Sequence, residues 1–534
     1  MPDPITAIDN SLRLIRAART LARHDALFAF SGLLTPPLPL RIAYWLARLR
    51  MPWERGLGVQ DMALRPGERL ASALQELGPS YIKLGQMLAT RPDVVGEQLA
   101  RDLMRLQDRL PPFSQIAAEM AVTEELGGAL GDHFTEFGPA LAAASIAQVH
   151  KAYVADPTEG DPAPAIRAVA VKILRPGVEA AFARDLGSFL WAAQLIDRAL
   201  PGLNRLRLTE VVRILSESVA LEMDLRYEAA AAVELSENMA VEISAGEYRV
   251  PAIDWRRTGR RILCLEWIEG VPIGDNAALL AAGHDLKVLA GRVITLFLKQ
   301  AMRDGFFHAD MHQGNLFVGP GGGVIAVDFG IMGRLDPQSR RYLAEILFGF
   351  LRRDYRRVAE VHFEAGYVSH DKPVDAFAQA LRSVGEPIFG LRASEISMSR
   401  LLAQLFQVTE TFAMRTQPQL LLLQKTMVVV EGVARGLDPE VDFWAVSEPV
   451  IAEWIAQHLS PEARLKEAAE GAIALARALP DLPHLIARAE RAASRFYGED
   501  NPPLAVAPPA ASPFANAGWW IAAAAIVALL LSWG

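Results

Sequence analysis

Cysteine is nearly absent from the sequence. In 534 residues there is only Cys264, so no disulfide can form within the chain, and its setting in the apolar run "RRILCLEWI" (260–268) predicts a buried strand position. A reducing compartment is the expectation. Long basic runs are missing as well: 54 Lys and Arg stand against 62 Asp and Glu, a net charge of −8, which argues against nucleic acid as a partner. The N-terminus shows no charged region leading into an apolar core and a small-residue cleavage site. No cleavable secretory signal is therefore predicted, and the bulk of the chain is expected in the cytoplasm. Charge also stops early. No Asp, Glu, Lys or Arg follows Asp500, and "FANAGWWIAAAAIVALLLSWG" (514–534) would be about 30 Å long as a helix, enough to cross a bilayer core. Trp519, Trp520 and Trp533 bracket it as interfacial anchors do. A single C-terminal transmembrane helix is expected there; the competing reading is a buried apolar helix.

The length allows roughly two to four domains with sizeable cores. Residues 1–67 are Arg-rich with apolar residues at helical spacing, a pattern suited to a helix on an anionic membrane surface or to one packed on the same protein. Residues 68–130 read as a helical extension broken at Gly78-Pro79 and Pro92 and closed at Pro111-Pro112. From 131 to 270 the pattern turns to short runs, "SIAQVHKAYV" and "IRAVAVKIL", separated by the polar "ADPTEGDPAP"; this predicts a hairpin with a long tip. Helix is expected over about 177–242, and "RRILCLEWIEG" as a strand leaving through Gly270. Residues 271–500 read as a mainly helical larger lobe, 501–513 as a Pro/Ala linker, and 514–534 as the membrane segment. The fold class is α+β. A strand-rich small unit beside a helical large one leaves a cleft at the joint, the default place for a ligand.

The polar residues at that joint form an ordered set. "FFHADMHQGNLFV" (306–318) fits the pattern H-x-D-x-x-x-x-N with His308, Asp310 and Asn315, in which the Asp orients or deprotonates an acceptor and the Asn holds magnesium. Thirteen residues after Asn315, the strand "IAVDFG" delivers Asp328 into a Phe329-Gly330 turn, where a carboxylate can bind magnesium that bridges nucleotide phosphates. Upstream, "AVAVK" ends a strand at Lys172, whose ammonium can pair with phosphates and with a helix carboxylate. Glu228 is the candidate for that carboxylate. Each piece alone is weak, but the order Lys, helix Glu, HxDxxxxN, DFG is hard to reach by coincidence. Other chemistries lack their parts. There is no second His/Cys cluster for a zinc cage, which leaves His312 as a loop hydrogen-bonding residue, and no G-x-S-x-G elbow, Ser145 having no glycine on either side.

Three further motifs make the chain resemble the UbiB family of atypical kinase-like proteins (the ABC1/ADCK group). "YIKLGQ" (81–86) is similar to the family's K-x-G-Q signature, with Lys83 and Gln86 on one helix face. "LAAASIAQVH" (141–150) stands where an ordinary kinase has a glycine-rich loop; alanines replace the glycines, so the backbone reaches φ > 0 less readily. Glu222-x-Asp224 is the third. Apart from the family, the 83/86 pair and the acidic run would each read as a solvated helix face. The resemblance covers about 68–440, including "LLLLQKTMVVVEGVARGLDPE", and departs from the family at Met311 and Gln313, where prolines are frequent, and in having one C-terminal span rather than two. It implies a bilobal protein-kinase-like fold that uses Mg2+ and ATP, with nucleotide bound by Leu141, Ala142, Ala143, Ala144, Ser145, Ile146, Ala147, Gln148, Val149 and Lys172, metal held by Asn315 and Asp328, and chemistry at Asp310, Lys172 and Glu228. Lys83 and Gln86 would belong to an extension folded over the cleft, near the acidic motif of Glu222 and Asp224.

The resemblance further implies support of aerobic ubiquinone biosynthesis at the polyprenylphenol hydroxylation stage. Membrane lipid, quinone precursors and other biosynthetic proteins would be its partners at the inner membrane. After Gly330 only "IMGRLDP" precedes the next helical pattern and no A-P-E element follows closely, which argues against peptide docking. A direct hydroxylase would need a redox centre, and no G-x-G-x-x-G after a strand or metal-ligand set is present. An ATPase or small-molecule kinase is expected. The alternative is a pseudokinase that binds nucleotide and organises other enzymes.

Overall fold

The computed structural model describes residues 4–26, 65–89, 95–103, 106, 111–144, 146–156, 165–199, 207–389, 408, 411–412, 414 and 418–458. The expected linker and membrane segment, and Ser145, lie outside the described residues. Among the described residues no helix is long and apolar enough to cross a membrane.

The chain opens with helix α1 (Pro4–Arg23), then α2 (Pro66–Leu77), α3 (Pro79–Ala89) and α4 (Glu97–Leu103). The predicted break at Gly78-Pro79 is present: Gly78 takes φ 106°, and proline at the first position of α3 sacrifices only an amide that a helix start leaves free. These helices bury Leu70, Leu74, Ile82, Leu99 and Leu103 in a core of their own.

The small lobe is an antiparallel sheet in the order β1-β2-β3-β5, with β1 Glu136–Ala143, β2 Ala147–Asp156, β3 Ala165–Leu174 and β5 Ile262–Glu266. The β2–β3 pairing runs unbroken from Ala147↔Leu174 to Asp156↔Ala165, which is the hairpin predicted from the two apolar runs. Alternation along β3 sends Val169, Val171 and Ile173 to one face, where they pack with Cys264 under α5 (Gln115–Leu126). Within the stretch read as the extension, α5 supplies Ala118, Ala121 and Val122 to the sheet's core. The opposite face meets α6 (Val178–Ala199), α7 (Leu208–Glu222) and the start of α8 (Leu225–Asn238). The single helical stretch expected over 177–242 is thus several helices.

The larger lobe is built on α9 (Leu286–Leu298), which passes into a π-helical turn, Lys299–Asp304. A second sheet has the order β4-β9-β8-β6, from Tyr248–Arg249, Val324–Ala326, Leu316–Val318 and Val271–Pro272. A short ribbon pairs β7 (Phe306–His308) with β10 (Met332–Arg334). Gly305, between the π-turn and β7, takes φ 66°, and a Cβ there would lie 2.6 Å from the Leu335 carbonyl, so the entry to β7 requires glycine. Then come α10 (Pro337–Leu351), capped by Asp336, α11 (Tyr355–Glu364), α12 (Val374–Phe389), α13 (Pro418–Leu437) and α14 (Phe443–His458). Leu423, Met427, Val430 and Val433 of α13 join the core that also holds Phe297, Phe307 and Leu316.

Candidate active site

The same alternation that buries Val171 and Ile173 turns Lys172 to the other face of β3, toward α8. Its Nζ lies 2.8 and 2.9 Å from the two carboxylate oxygens of Glu228 and 2.9 Å from Asp328 Oδ1. One ammonium is therefore shared by two carboxylates. Burial works against the Lys172 charge, but Asp328 and Glu228 outweigh it and raise its pKa above the usual lysine value. Glu228 is buried, and that burial pushes its carboxyl up to about 7, with Lys172 opposing and Asp328 adding to the rise. Asp328 goes the other way: Lys172 beside it holds its carboxyl well below the usual range. Asp328 also adopts φ 62°, an uncommon conformation for a residue with a side chain, where the chain turns into Phe329 and Gly330.

The loop 308–315 hangs between β7 and β8. His308 is fully buried and donates from Nε2 to the Val327 carbonyl at 3.0 Å, while its Nδ1 accepts the Asp310 amide at 3.1 Å. Burial lowers the His308 pKa, which favours this neutral tautomer. Through these two bonds His308 supports the loop. Asn315 donates its side-chain amide to the Asp310 carbonyl at 3.0 Å, closing the loop on itself. Across the β8–β9 hairpin the Val327 amide donates to the Asn315 carbonyl, so Asn315 and Asp328, thirteen positions apart in sequence, come to the same end of one hairpin.

These two residues fit a magnesium ion. With its amide nitrogen spent on the loop, Asn315 has its Oδ1 left as a ligand, and the Asp328 carboxylate is half exposed. Among the described residues no group of three or more His, Cys, Asp and Glu could cage a metal. A hard cation that keeps waters and takes phosphate oxygens suits such a sparse set.

The alanine-rich segment divides. Leu141 and Ala142 are exposed and Ala143, Ala144 and Val149 partly so, whereas Ile146, Ala147 and Gln148 face inward. Gln148 in particular accepts the Phe113 amide at 2.9 Å and lies 2.8 Å from His150 Nε2, so its side chain ties β2 to the segment before α5 and is not turned to the cleft. The β1–β2 connection closes with the Ala144 amide donating to the Ala147 carbonyl.

The extension motif is a contact, not a solvated face. Lys83 on α3 lies 2.6 Å from Glu222, with both side chains largely covered, and Gln86 sits half-buried three residues on. Glu222 ends α7, while Asp224 caps α8, accepting from the Arg226 amide and guanidinium. That guanidinium keeps the Asp224 carboxyl below its usual range. The acidic run reads as one face in sequence but straddles a helix break.

Further side chains flank the Asp310 loop. Lys425 of α13 places Nζ 3.7 Å from Asp310 Oδ1, and the adjacent Thr426 hydroxyl lies 3.0 Å from the Ala309 carbonyl. His312 Nε2 stands 3.5 Å from Asp310 Oδ2 while its Nδ1 accepts the Gly314 amide at 2.9 Å, so it bonds within the loop as expected and also flanks the carboxylate. Gln300, presented by the π-turn, accepts the His308 amide at 3.0 Å. After the DFG turn, Arg334 of β10 forms a two-point pair with Glu234 of α8 at 2.7 and 2.5 Å, which fixes the helix bearing Glu228.

Comparison with known proteins gives the family. Residues 105–362 match the ABC1 atypical kinase-like domain, and residues 381–442 the UbiB helical domain. The chain is 39% identical over 479 residues to the "Probable protein kinase UbiB" of Marinobacter nauticus, covering 89% of this chain and 84% of that one. It is 41% identical over 461 residues to the protein of the same name from Pseudomonas entomophila, covering 84% and 82%. Among solved structures it is similar to "The complex structure of Rv3197-erythromycin from Mycobacterium tuberculosis", at 25% identity and a TM-score of 0.47 over 71% of this chain and 94% of that one. That superposition is too loose to bear on the site.

Proposed function

The chain belongs to the UbiB family of ABC1 atypical kinase-like proteins, and from that premise we propose that it is a magnesium-dependent ATPase or small-molecule kinase. It supports ubiquinone biosynthesis at the stage where the polyprenylphenol ring is hydroxylated, held at the inner membrane by the apolar segment 514–534. The observation that carries the reading is the convergence of Lys172, Glu228 and Asp328 at one end of the hairpin that also brings Asn315 next to the Asp310 loop.

Each residue has a distinct task. Lys172, oriented by Glu228, meets the phosphates when nucleotide displaces Asp328 from its ammonium. Asn315 and Asp328 hold magnesium, which when bound offsets phosphate charge. Asp310 orients the acceptor oxygen and takes its proton; its backbone is pinned by His308 and Asn315, so the carboxylate needs little reorganisation. Peptide substrates fit poorly. β10 pairs with β7 directly after the DFG turn and α10 starts at Pro337, which leaves no extended segment for docking a peptide.

The test is ATP hydrolysis by the full chain in liposomes containing a phenolic quinone precursor. Wild type should exceed Asp310→Asn by at least about a hundredfold. Equal, slow hydrolysis by both would instead support the nucleotide-binding organiser. Deleting the gene and profiling quinones, with rescue by wild type but not by Asp310→Asn, places the activity in the pathway.

A further inference from the structure

Phosphoryl transfer needs positive charge at the terminal phosphate as well as at the magnesium. Within the candidate site that cation is not obvious. Lys172 is already shared between Glu228 and Asp328, and between Asp310 and Asn315 the loop carries Met311, His312, Gln313 and Gly314, with no Lys or Arg. Among the described residues, the lysine that comes within ion-pair reach of the acceptor-orienting carboxylate is supplied instead by α13, in the helical region that follows the kinase-like domain. Lys425 Nζ is 3.7 Å from Asp310 Oδ1. That is ion-pair distance but too long for a hydrogen bond, so the two face each other without being locked together. The side chain is about a third exposed, with 36% relative accessibility. Its backbone is well placed, because Thr426, fully buried, reaches both the Leu422 carbonyl (2.8 Å) and the Ala309 carbonyl (3.0 Å), riveting α13 to the residue before Asp310.

We infer that Lys425 is a catalytic residue that engages the terminal phosphoryl group of bound nucleotide, supplied to the loop from outside the kinase-like domain. The inference rests on the nucleotide-using reading above. In the step it assists, the bond from the β–γ bridging oxygen to the γ-phosphorus breaks as a bond from the acceptor oxygen forms, the acceptor's proton passes to Asp310, and ADP leaves. Lys425 exchanges no proton and forms no covalent bond. It offsets charge on the γ-oxygens, and its flexible stem lets the ammonium move from the Asp310 carboxylate to those oxygens as nucleotide enters.

The experiment measures magnesium-dependent binding of ADP and of the non-hydrolysable AMP-PNP, together with ATP turnover, on the full chain carrying Lys425→Met or Lys425→Arg. Lys425→Met should weaken AMP-PNP binding about tenfold and lower turnover about ten- to a hundredfold, while ADP affinity stays within about twofold, the scale of one charge-assisted contact. Lys425→Arg should recover most of both, and serves alone if the Met variant does not fold. Equal losses for ADP and AMP-PNP would reduce Lys425 to a structural partner of Asp310. Unchanged AMP-PNP binding and turnover would remove it from the site. If wild type itself binds neither nucleotide, the nucleotide reading falls, and that outcome is visible before any variant is compared.

Discussion

Lys172 and Glu228 meet through both carboxylate oxygens, at 2.8 and 2.9 Å, with the carboxylate buried and Asp328 competing for the same ammonium. Burial raises Glu228 from 4.5 to about 7. Its protonated form is therefore more favoured in the folded protein than in the unfolded chain, so this group's stabilising contribution is fully present below pH 4.5 and lost as pH rises through about 7. Glu228→Gln is neutral at every pH and lacks that dependence. Urea unfolding of both proteins should show the wild-type stability, relative to the Gln variant, declining across that window; a flat difference would mean the carboxylate is ionised throughout.

Asp328 carries the opposite sign. Lys172 depresses its pKa, so its contribution is present above the ordinary carboxylate range and lost as pH falls through the depressed value. Asp328→Asn removes the charge that both holds Lys172 and would bind magnesium. Nucleotide affinity in the presence of magnesium should fall about tenfold or more, the scale of a lost charge-assisted contact, with little change in its absence. Unchanged affinity with magnesium would sink the metal-ligand assignment.

The Lys83–Glu222 pair, at 2.6 Å, ties α3 to the end of α7 with both side chains largely covered. Breaking it should loosen the extension without unfolding the lobes. In a double-mutant cycle of Lys83→Ala and Glu222→Gln the coupling should be on the order of 1–2 kcal/mol, and each single variant should be cleaved faster by trypsin between α1 and α5. Full additivity would show that the pair is only an accident of proximity.

How far the site was legible depended on whether a residue's role is local. Lys172 and Asp328 sit at strand ends whose apolar runs are visible in "AVAVK" and "IAVDFG", and Asp310 and Asn315 belong to one short loop, so order and spacing single them out as candidates. Glu228 was found because α8 follows at a readable distance. Lys425 was not, since its link to Asp310 spans more than a hundred residues and depends on how α13 docks, which periodicity does not encode. The acidic pair Glu222 and Asp224 misled for a related reason. Helical spacing gives no sign that the chain breaks between them at Met223, where one helix ends and Asp224 caps the next. Gln148 faces inward where its neighbours Ala143 and Ala144 do not, because the sheet assigns each side chain a face that a run of small residues does not display.

His308 gives the last test, because its two ring nitrogens make opposite demands. Nε2 must carry the proton to donate to Val327, and Nδ1 must be bare to accept the Asp310 amide. Protonation of Nδ1 would expel that amide and shift Asp310. Burial lowers the His308 pKa below 6.5, so the stabilising contribution of the neutral ring is present above about 6.5 and lost as pH falls through the lowered folded value. Gln300 supports the same residue from behind by accepting its backbone amide. Gln300→Leu leaves that buried amide without a partner, at a cost of about 1–3 kcal/mol. Turnover in this variant should fall about tenfold or more at neutral pH while nucleotide affinity measured without magnesium holds, because the loop carrying Asp310 and Asn315 is displaced and Lys172 is not. If turnover and affinity fell together, the π-turn would be supporting the whole lobe and not the loop alone.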